Sequence, residues 1–447
     1  MAEADVIAAL ATASGRSAVG IIRLSGPDLI PFMTGLLGRQ IPPRHAVLTD
    51  FLDAGREAVD SGLALFFPRP HSYTGEDVLE LQAHGGPAVL QLLLRRCVNL
   101  GARLAQPGEF TRRAFLNDKM DLAQAESVAD LIEAGSEAAA RAAVRSLKGE
   151  LSREVRALTS ELLALRSWVE ASIDFPDEDV DAGDQQKWRE SLKTLRDHIE
   201  RIKRTAASGN LLRDGIEAAL VGRPNVGKSS LLNRLAGEDL AIVTPVPGTT
   251  RDTVKGEFLF QGVTIRLTDT AGLRDALDAV ERIGIERTWR AARASDVALL
   301  VVDAGTGRTA EDETIGRELP PAAKRITVFN KIDLTGGAPG RRRGDGGLEV
   351  QVSALTGAGI DLLRRAIFDE VAPEGLDLEG VFLARERHID ALSRAAEHLE
   401  RGSEHLARLE VFAEELRLAQ RALGEITGEL SADDLLGEIF SRFCIGK

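Results

Sequence analysis

The chain has 447 residues, 44% hydrophobic and 28% charged, with a formal net charge of −13. That composition is ordinary for a soluble globular protein of about three domains, and the acidic balance excludes a chain whose main task is to coat nucleic acid, so RNA contact would need a local patch or a partner. Two distant cysteines, Cys97 and Cys444, exclude a disulfide framework; no apolar run approaches the roughly 20 residues of a membrane span, and Glu3 and Asp5 stand where a targeting peptide would be basic, so the expected location is cytoplasmic.

Residues 1–118 read as a mixed α/β domain. Val19–Leu24 and Leu63–Phe67 are short apolar strands closed by turn residues, and Asp77–Leu81 alternates toward His84-Gly85-Gly86. Pro87–Leu100 is an amphipathic helix ended by Gly101, with Cys97 on its apolar face, and Arg103–Ala105 precedes the turn Pro107-Gly108. From Asp121 to Ile173, apolar residues recur at helical spacing, with breaks expected at Gly135 and Gly149. Phe175-Pro176 and an acidic loop to Asp184 lead to a helix over Gln186–Ser208, ended by Gly209.

Strands and helices then alternate over 213–373. Ile216–Val221, Glu257–Phe260, Val263–Leu267, Val297–Val302, Ile326–Phe329 and Glu349–Val352 read as a mostly parallel sheet with one antiparallel strand, covered by helices near 229–236, 281–293, 310–318 and 360–370. Arg341-Arg342-Arg343 reads as solvated charge on a polar loop. The remainder is helical: Ala384–Leu423 is long and amphipathic, and Ser431–Asp434 has the form of a capping box before Leu435–Phe443. The expected architecture is therefore multidomain: an α/β N-terminal domain (1–118), an α-helical bundle in two halves (119–212 and 374–447), and a Ras-like P-loop α/β domain (213–373) inserted between them.

The inserted domain carries the clearest chemistry. Gly222–Ser229 has the spacing G-x-x-x-x-G-K-S between a strand and a helix. The backbone N–H groups of Asn225, Val226, Gly227, Lys228, Ser229 and Ser230 would cradle phosphates at a helix N-terminus. Lys228 would reach the outer phosphates and the Ser229 hydroxyl would hold Mg²⁺. Asp269-Thr270-Ala271-Gly272 follows the third strand, where the carboxylate holds Mg²⁺ through water and the glycine N–H meets a γ-phosphate. Thr249-Thr250 lies between these motifs, where a threonine completes the Mg²⁺ shell and senses the γ-phosphate.

Asn330-Lys331-Ile332-Asp333 follows the fifth strand. A carboxylate at Asp333 accepts from N1 and N2 of guanine, donors that adenine lacks. Ser353-Ala354 follows the sixth strand, where a backbone N–H would reach guanine O6. Together these motifs select GTP. Leu273 stands where Ras-like enzymes place a water-orienting glutamine, which leaves Arg251, Arg274 and Glu281 as candidates for positive charge or water positioning. Asn225 lies inside the phosphate loop, where its amide oxygen can hold a monovalent cation. A K⁺ ion there would supply the charge of an arginine finger, capped by carbonyls and hydroxyls of Ala241–Thr250.

At this point the chain resembles the MnmE (TrmE) family of tRNA-modification GTPases. The residues that carry the likeness are Gly20–Gly26, Thr74–Glu80, His84–Pro87, Pro107–Thr111, Arg113–Lys119, Asp174–Pro176, the nucleotide motifs, Val280–Glu286 and the ending Phe443-Cys444-Ile445-Gly446-Lys447. The resemblance implies a homodimer formed by the N-terminal domain, with a pocket for 5-formyl- or methylene-tetrahydrofolate lined by Arg23, Glu80 and Lys119 and reached by Lys447. It implies K⁺ held by Asn225, Thr244, Val246 and Thr249, with Thr250 at the Mg²⁺ and Glu281 orienting water. Pro245, Pro247 and Gly248 belong to the same cation-binding loop, which the two prolines stiffen. It also implies Cys444 as a candidate catalytic thiol, and work with MnmG, an FAD-dependent partner, in a heterotetramer or larger complex. That complex would add an aminomethyl-type group at carbon 5 of the wobble uridine of certain tRNAs. A GTP-dependent assembly switch would share the phosphate and guanine motifs but not the N-terminal motifs or the Cys-Ile-Gly-Lys tail, and a folate-binding metabolic enzyme would leave the GTPase motifs unexplained.

Overall fold

The computed structural model describes residues 5–174, 182–237, 256–269, 295–319, 323–344, 347–373, 375–376, 380–429, 433–441 and 443–446. They divide into two compact units: residues 1–129, 146–199 and 387–447 form one, and residues 130–145 and 200–386 form the other.

The first unit begins with β1 (Ile7–Leu10), β2 (Val19–Gly26), α1 (Ile30–Leu37), β3 (Val47–Leu52), β4 (Ala58–Phe67), β5 (Asp77–His84), α2 (Pro87–Asn99), β6 (Arg103–Leu104) and α3 (Glu109–Leu116). Its six strands run in the order β3-β4-β5-β2-β1-β6. Only β1 and β6 pair in parallel; the other neighbours are antiparallel. Period-2 alternation explains the layering. Ile22 and Leu24 of β2 and Leu79 and Leu81 of β5 are buried with Met33 and Leu36 of α1 and Leu90, Leu93 and Cys97 of α2. The alternate positions, Arg23 and Glu80, fall on the opposite face, directly across the β2–β5 pair. Burial raises the Cys97 thiol to a pKa of about 12, so it is an inert core group.

The helical run continues as α4 (Leu122–Glu133), α5 (Glu137–Leu147), α6 (Glu150–Asp174) and α7 (Ala182–Asp214). The breaks fall at Gly135 and Gly149. Gly149 adopts φ +80°, a left-handed conformation that a glycine tolerates without strain. α11 (Glu386–Glu404), α12 (Leu409–Thr427) and α13 (Asp433–Ser441) follow later in the chain, α13 packing on α3, and in the first unit α6 packs its buried stripe, Leu151, Val155, Leu158, Leu162, Leu165 and Val169, against α12. Trp188 is fully buried there, 5.8 Å from the Phe412 ring.

The second unit holds β7 (Ile216–Val221), α8 (Lys228–Ala236), β8 (Gly256–Phe260), β9 (Val263–Asp269), β10 (Val297–Asp303), α9 (Ala310–Glu318), β11 (Lys324–Asn330), β12 (Gly340–Gly344), β13 (Gly347–Gln351) and α10 (Ile360–Val371). Strand order is β12-β13-β11-β10-β7-β9-β8. The five central strands are parallel, and the adjacent β7 and β10 are almost wholly apolar, as strands covered on both faces require. Ala139, Ala142 and Ala143 of α5 join the core under this sheet. The Ser136 hydroxyl donates to the Gly262 carbonyl at the β8–β9 turn, 2.7 Å away.

Several elements differ from their sequence reading. The arginine triplet is an edge strand, not a loop: β12 pairs antiparallel with β13, so the sheet has two antiparallel strands. Arg342 faces Glu349 across the pair at 2.7 Å, and Arg343 meets Glu370 at 2.9 Å. Arg341 is bonded to Asp369 at 2.5 Å. Cross-strand and helix-borne acids, invisible in the local pattern, turn a charged segment into a strand. Gly209 does not end α7, which runs on to Asp214. A Cβ there would lie 2.0 Å from the Phe382 carbonyl, so this glycine serves a close backbone approach. The helix expected over Ala384–Leu423 is two helices, α11 and α12, separated at 405–408. Strands β1 and β3 and helices α1 and α3 had no sequence signal strong enough to place them. The helix expected near 281–293 and residues 431–432 of the expected capping box lie outside the described residues.

Candidate functional site

The phosphate loop has the local conformation its sequence calls for. Gly222 (φ +143°) and Gly227 (φ +95°) take positive φ, and so does Asn225 (φ +62°), a residue type that tolerates it. Space also demands the glycines: a Cβ at Gly222 would lie 2.4 Å from the Val301 carbonyl, and one at Gly227 would lie 2.4 Å from Asn330 Nδ2. Val226 anchors the loop by placing its side chain in the apolar core, which leaves Asn225 exposed beside it. Lys228, at the start of α8, folds back over the loop. Its Nζ donates to the carbonyls of Gly222 and Arg223, each at 2.7 Å. Ser229 and Ser230 follow, exposed, in the first turn of α8. A helix N-terminus with an ammonium drawn across the loop is a cradle for anionic oxygens.

The base-side motif is tied to this loop by hydrogen bonds. Asn330, 1% exposed at the end of β11, uses both ends of its amide. Nδ2 donates to the Val226 carbonyl at 2.9 Å, and Oδ1 accepts from the Ala354 N–H at 3.0 Å. The Ala354 N–H, part of the Ser353-Ala354 segment expected to offer a backbone donor to guanine O6, is thus held by Asn330. Lys331, at φ +68°, donates from Nζ to the Asn225 carbonyl at 2.7 Å and to Asp303 Oδ2 at 2.8 Å. The hydrogen bond from Lys331 holds the Asp303 carboxyl below the usual aspartate range. Asp333 is exposed, with one carboxylate oxygen accepting from the buried Ser353 hydroxyl at 2.5 Å. Its second oxygen and remaining lone pairs suit a ligand with two adjacent donors.

Three contributors carried no sequence signal as site residues. Asp303 closes β10 as Asp269 closes β9 and Asn330 closes β11, so its strand-end position was the available clue. Arg223 in the phosphate loop pairs with buried Asp312 at 3.0 Å, and Asp312 caps α9 through Thr309. Arg234 of α8 donates to the carbonyls of Ala354 at 3.1 Å and Leu355 at 2.6 Å.

Other expected positions lie outside the described residues: Thr244, Pro245, Val246, Pro247, Gly248, Thr249, Thr250, Arg251, Thr270, Ala271, Gly272, Leu273, Arg274, Glu281 and Lys447. Asp269 is placed at the end of β9, but its side chain is not among those described. Among the described residues, no group of three His, Cys, Asp or Glu side chains forms a metal cluster.

A second set of expected residues lies in the first unit. The Arg23 guanidinium pairs with Glu80 at 2.8 Å. It also sits 5.9 Å from the Tyr73 ring centroid and 5.8 Å from that of Phe110. Its Nη1 donates to the Gly446 carbonyl at 3.3 Å, which brings the C-terminal segment to the β2–β5 face. A Cβ at Gly446 would lie 2.4 Å from the Leu10 carbonyl, so that approach requires glycine. Cys444 is exposed, and its carbonyl accepts from the Gly108 N–H at 3.4 Å. Lys119 is exposed, and its Nζ donates to the Pro70 carbonyl at 3.0 Å.

A family of the GTP-binding protein TrmE N-terminus matches residues 6–119, and a family of the MnmE helical domain matches residues 122–444. A protein of Chromobacterium violaceum named tRNA modification GTPase MnmE is 58% identical over 442 residues, covering 99% of this chain and 98% of that one. Proteins of the same name from Laribacter hongkongensis and Aromatoleum aromaticum are each 55% identical, covering 99% of this chain and 99% and 98% of their own. A solved Era structure from Aquifex aeolicus with GDP.AlF4- is 30% identical, covers 41% of this chain and 66% of that one, and has a TM-score of 0.28. With a matched family over most of its length and relatives above half identity from end to end, the chain belongs to the MnmE family of tRNA modification GTPases.

Proposed function

We propose that this chain is a K⁺-stimulated GTPase that acts with MnmG to modify carbon 5 of the wobble uridine of certain tRNAs, using a tetrahydrofolate one-carbon donor. The observation that carries the GTPase reading is the joining of phosphate loop and base loop through Asn330. It makes one site of two motifs that are about a hundred residues apart in sequence.

The residues divide the work as follows. Lys228 exchanges its bonds to the Gly222 and Arg223 carbonyls for phosphate oxygens when GTP enters. Ser229, at the first turn of α8, would hold Mg²⁺ together with Thr250, and Asp269 would hold it through water. Held there, Mg²⁺ would supply positive charge to the outer phosphates. Asp333 accepts from guanine N1 and N2, and Ser353 fixes its carboxylate. Asn225, exposed on the loop rim, offers its amide oxygen to K⁺ together with Thr244, Val246 and Thr249. Glu281 orients the attacking water, since Leu273 has no hydrogen-bonding group.

The folate reading draws support from the Arg23–Glu80 pair, its flanking rings and the adjacent C-terminal segment. In this reading Lys119 and Lys447 would line that pocket, and Cys444, exposed in the adjacent C-terminal segment, would serve as a thiol nucleophile. Homodimerisation by the N-terminal domain is supported by Leu48 and Leu63, which are 72% and 38% exposed and directly opposite on β3 and β4. The proposed domain limits are 1–118, 119–212, 213–373 and 374–447. Among the described residues no helix is long and apolar enough to cross a membrane, and we place the enzyme in the cytoplasm with tRNA as its macromolecular substrate. Deletion of the gene followed by mass analysis of tRNA wobble uridines tests the biological role. Loss of the carbon-5 group is expected, and unchanged nucleosides would refute it.

A further inference from the structure

Ala354 is held by two side chains at once. Its N–H donates to Asn330 Oδ1 at 3.0 Å, and its carbonyl accepts from Arg234 Nε at 3.1 Å. Arg234 then reaches the next carbonyl, that of Leu355, at 2.6 Å. The loop that follows wraps around the same guanidinium: Gly357 takes φ +85°, and a Cβ there would lie 3.9 Å from Arg234 Cζ. Leu355 itself is 75% exposed, so little apolar packing fixes this loop. Polar bonds to its backbone must do so. Arg234 is in the last turn of α8, the helix that begins with the phosphate-binding Lys228. A planar guanidinium donating to two successive carbonyls fixes the orientation of the peptide between them, which a single point charge cannot do.

We propose that Arg234 is a positioning residue for the guanine O6 side of the nucleotide site, setting how long the bound nucleotide stays. It acts through the Ala354–Leu355 peptide, in the loop after the sixth strand where the guanine reading expects a backbone donor to O6, and it couples that loop to the helix that carries the phosphate loop. The inference rests on the guanine-site reading above. Asp333 reads N1 and N2 from the other edge of the base, so the two contributions are separable by ligand chemistry. Inosine keeps O6 and lacks the N2 amine.

The test is stopped-flow release of N-methylanthraniloyl GDP and IDP from the full-length protein, comparing wild type with Arg234→Ala and Arg234→Lys. Loss of two hydrogen bonds to the loop is expected to speed release of both nucleotides by about tenfold, leaving the GDP-to-IDP ratio and the kcat at saturating GTP within about twofold of wild type. Arg234→Lys, able to donate to one carbonyl at a time, falls between. Unchanged release, a loss confined to GDP, or a fall in kcat with release unaltered would each overturn the proposal. Should Arg234→Ala fail to fold, Arg234→Lys and Arg234→Gln carry the same comparison. A wild type that released GDP and ADP equally fast would contradict the guanine site instead.

Discussion

The side-chain amide of Asn330 donates to the carbonyl of Val226 at 2.9 Å, so the residue that opens the base motif holds the phosphate loop in shape. Its other end fixes Ala354. Asn330→Ala removes both bonds and leaves a buried N–H and a buried carbonyl without their partner. GDP affinity is expected to fall about tenfold or more, measured by isothermal titration. The same variant should leave the first compact unit intact, as read by its near-ultraviolet circular dichroism.

Asp333 provides a chemical test of base choice. Ser353 occupies one of its oxygens at 2.5 Å, leaving acceptor capacity for two donors. Asp333→Asn exchanges an acceptor pair for an amide that can donate. GTP affinity should drop by about a hundredfold or more, because two charge-assisted bonds are lost. Xanthosine triphosphate, which carries a carbonyl at carbon 2, should gain affinity. Competition binding with both nucleotides checks the exchange.

The buried carboxylate of Glu126 predicts a pH dependence in the first unit. Glu126 is 1% exposed, accepts from Arg387 at 2.8 Å, and lies 2.9 Å from His388 Nε2. Burial alone would raise its pKa, but the charges of His388 and Arg387 more than overcome this and hold it well below the ordinary range. A depressed carboxylate contributes stability above its unfolded pKa of about 4.3 and loses it as pH falls toward the folded value. Glu126→Gln should therefore cost roughly 3 kcal/mol at neutral pH, and the gap to wild type should narrow below about pH 4. Urea unfolding across pH 3–7 measures it.

Much of the nucleotide site was legible because its motifs are local: a strand, a glycine loop and a helix lie within consecutive residues, and Asp333 follows Asn330 by three. What escaped was long-range pairing. Arg341, Arg342 and Arg343 have no strand signature until Asp369, Glu370 and Glu349 are brought beside them. Gly209 looked like a helix stop because nothing in its neighbourhood announces the Phe382 carbonyl. Arg234 carried no sequence signal, and only the fold shows the carbonyls it holds. In the N-terminal domain, Arg23 and Glu80 were named through family likeness, and their cross-strand register supplies the physical reason they meet.

K⁺ held at Asn225 is proposed to replace an arginine finger in hydrolysis. The direct measurement is the steady-state GTP hydrolysis rate of the full-length protein in KCl and in NaCl at equal ionic strength, with Asn225→Ala alongside. The expected rate is at least about tenfold higher in KCl, a stimulation that Asn225→Ala abolishes while GDP binding persists. Equal rates in the two salts for the wild-type protein would contradict it.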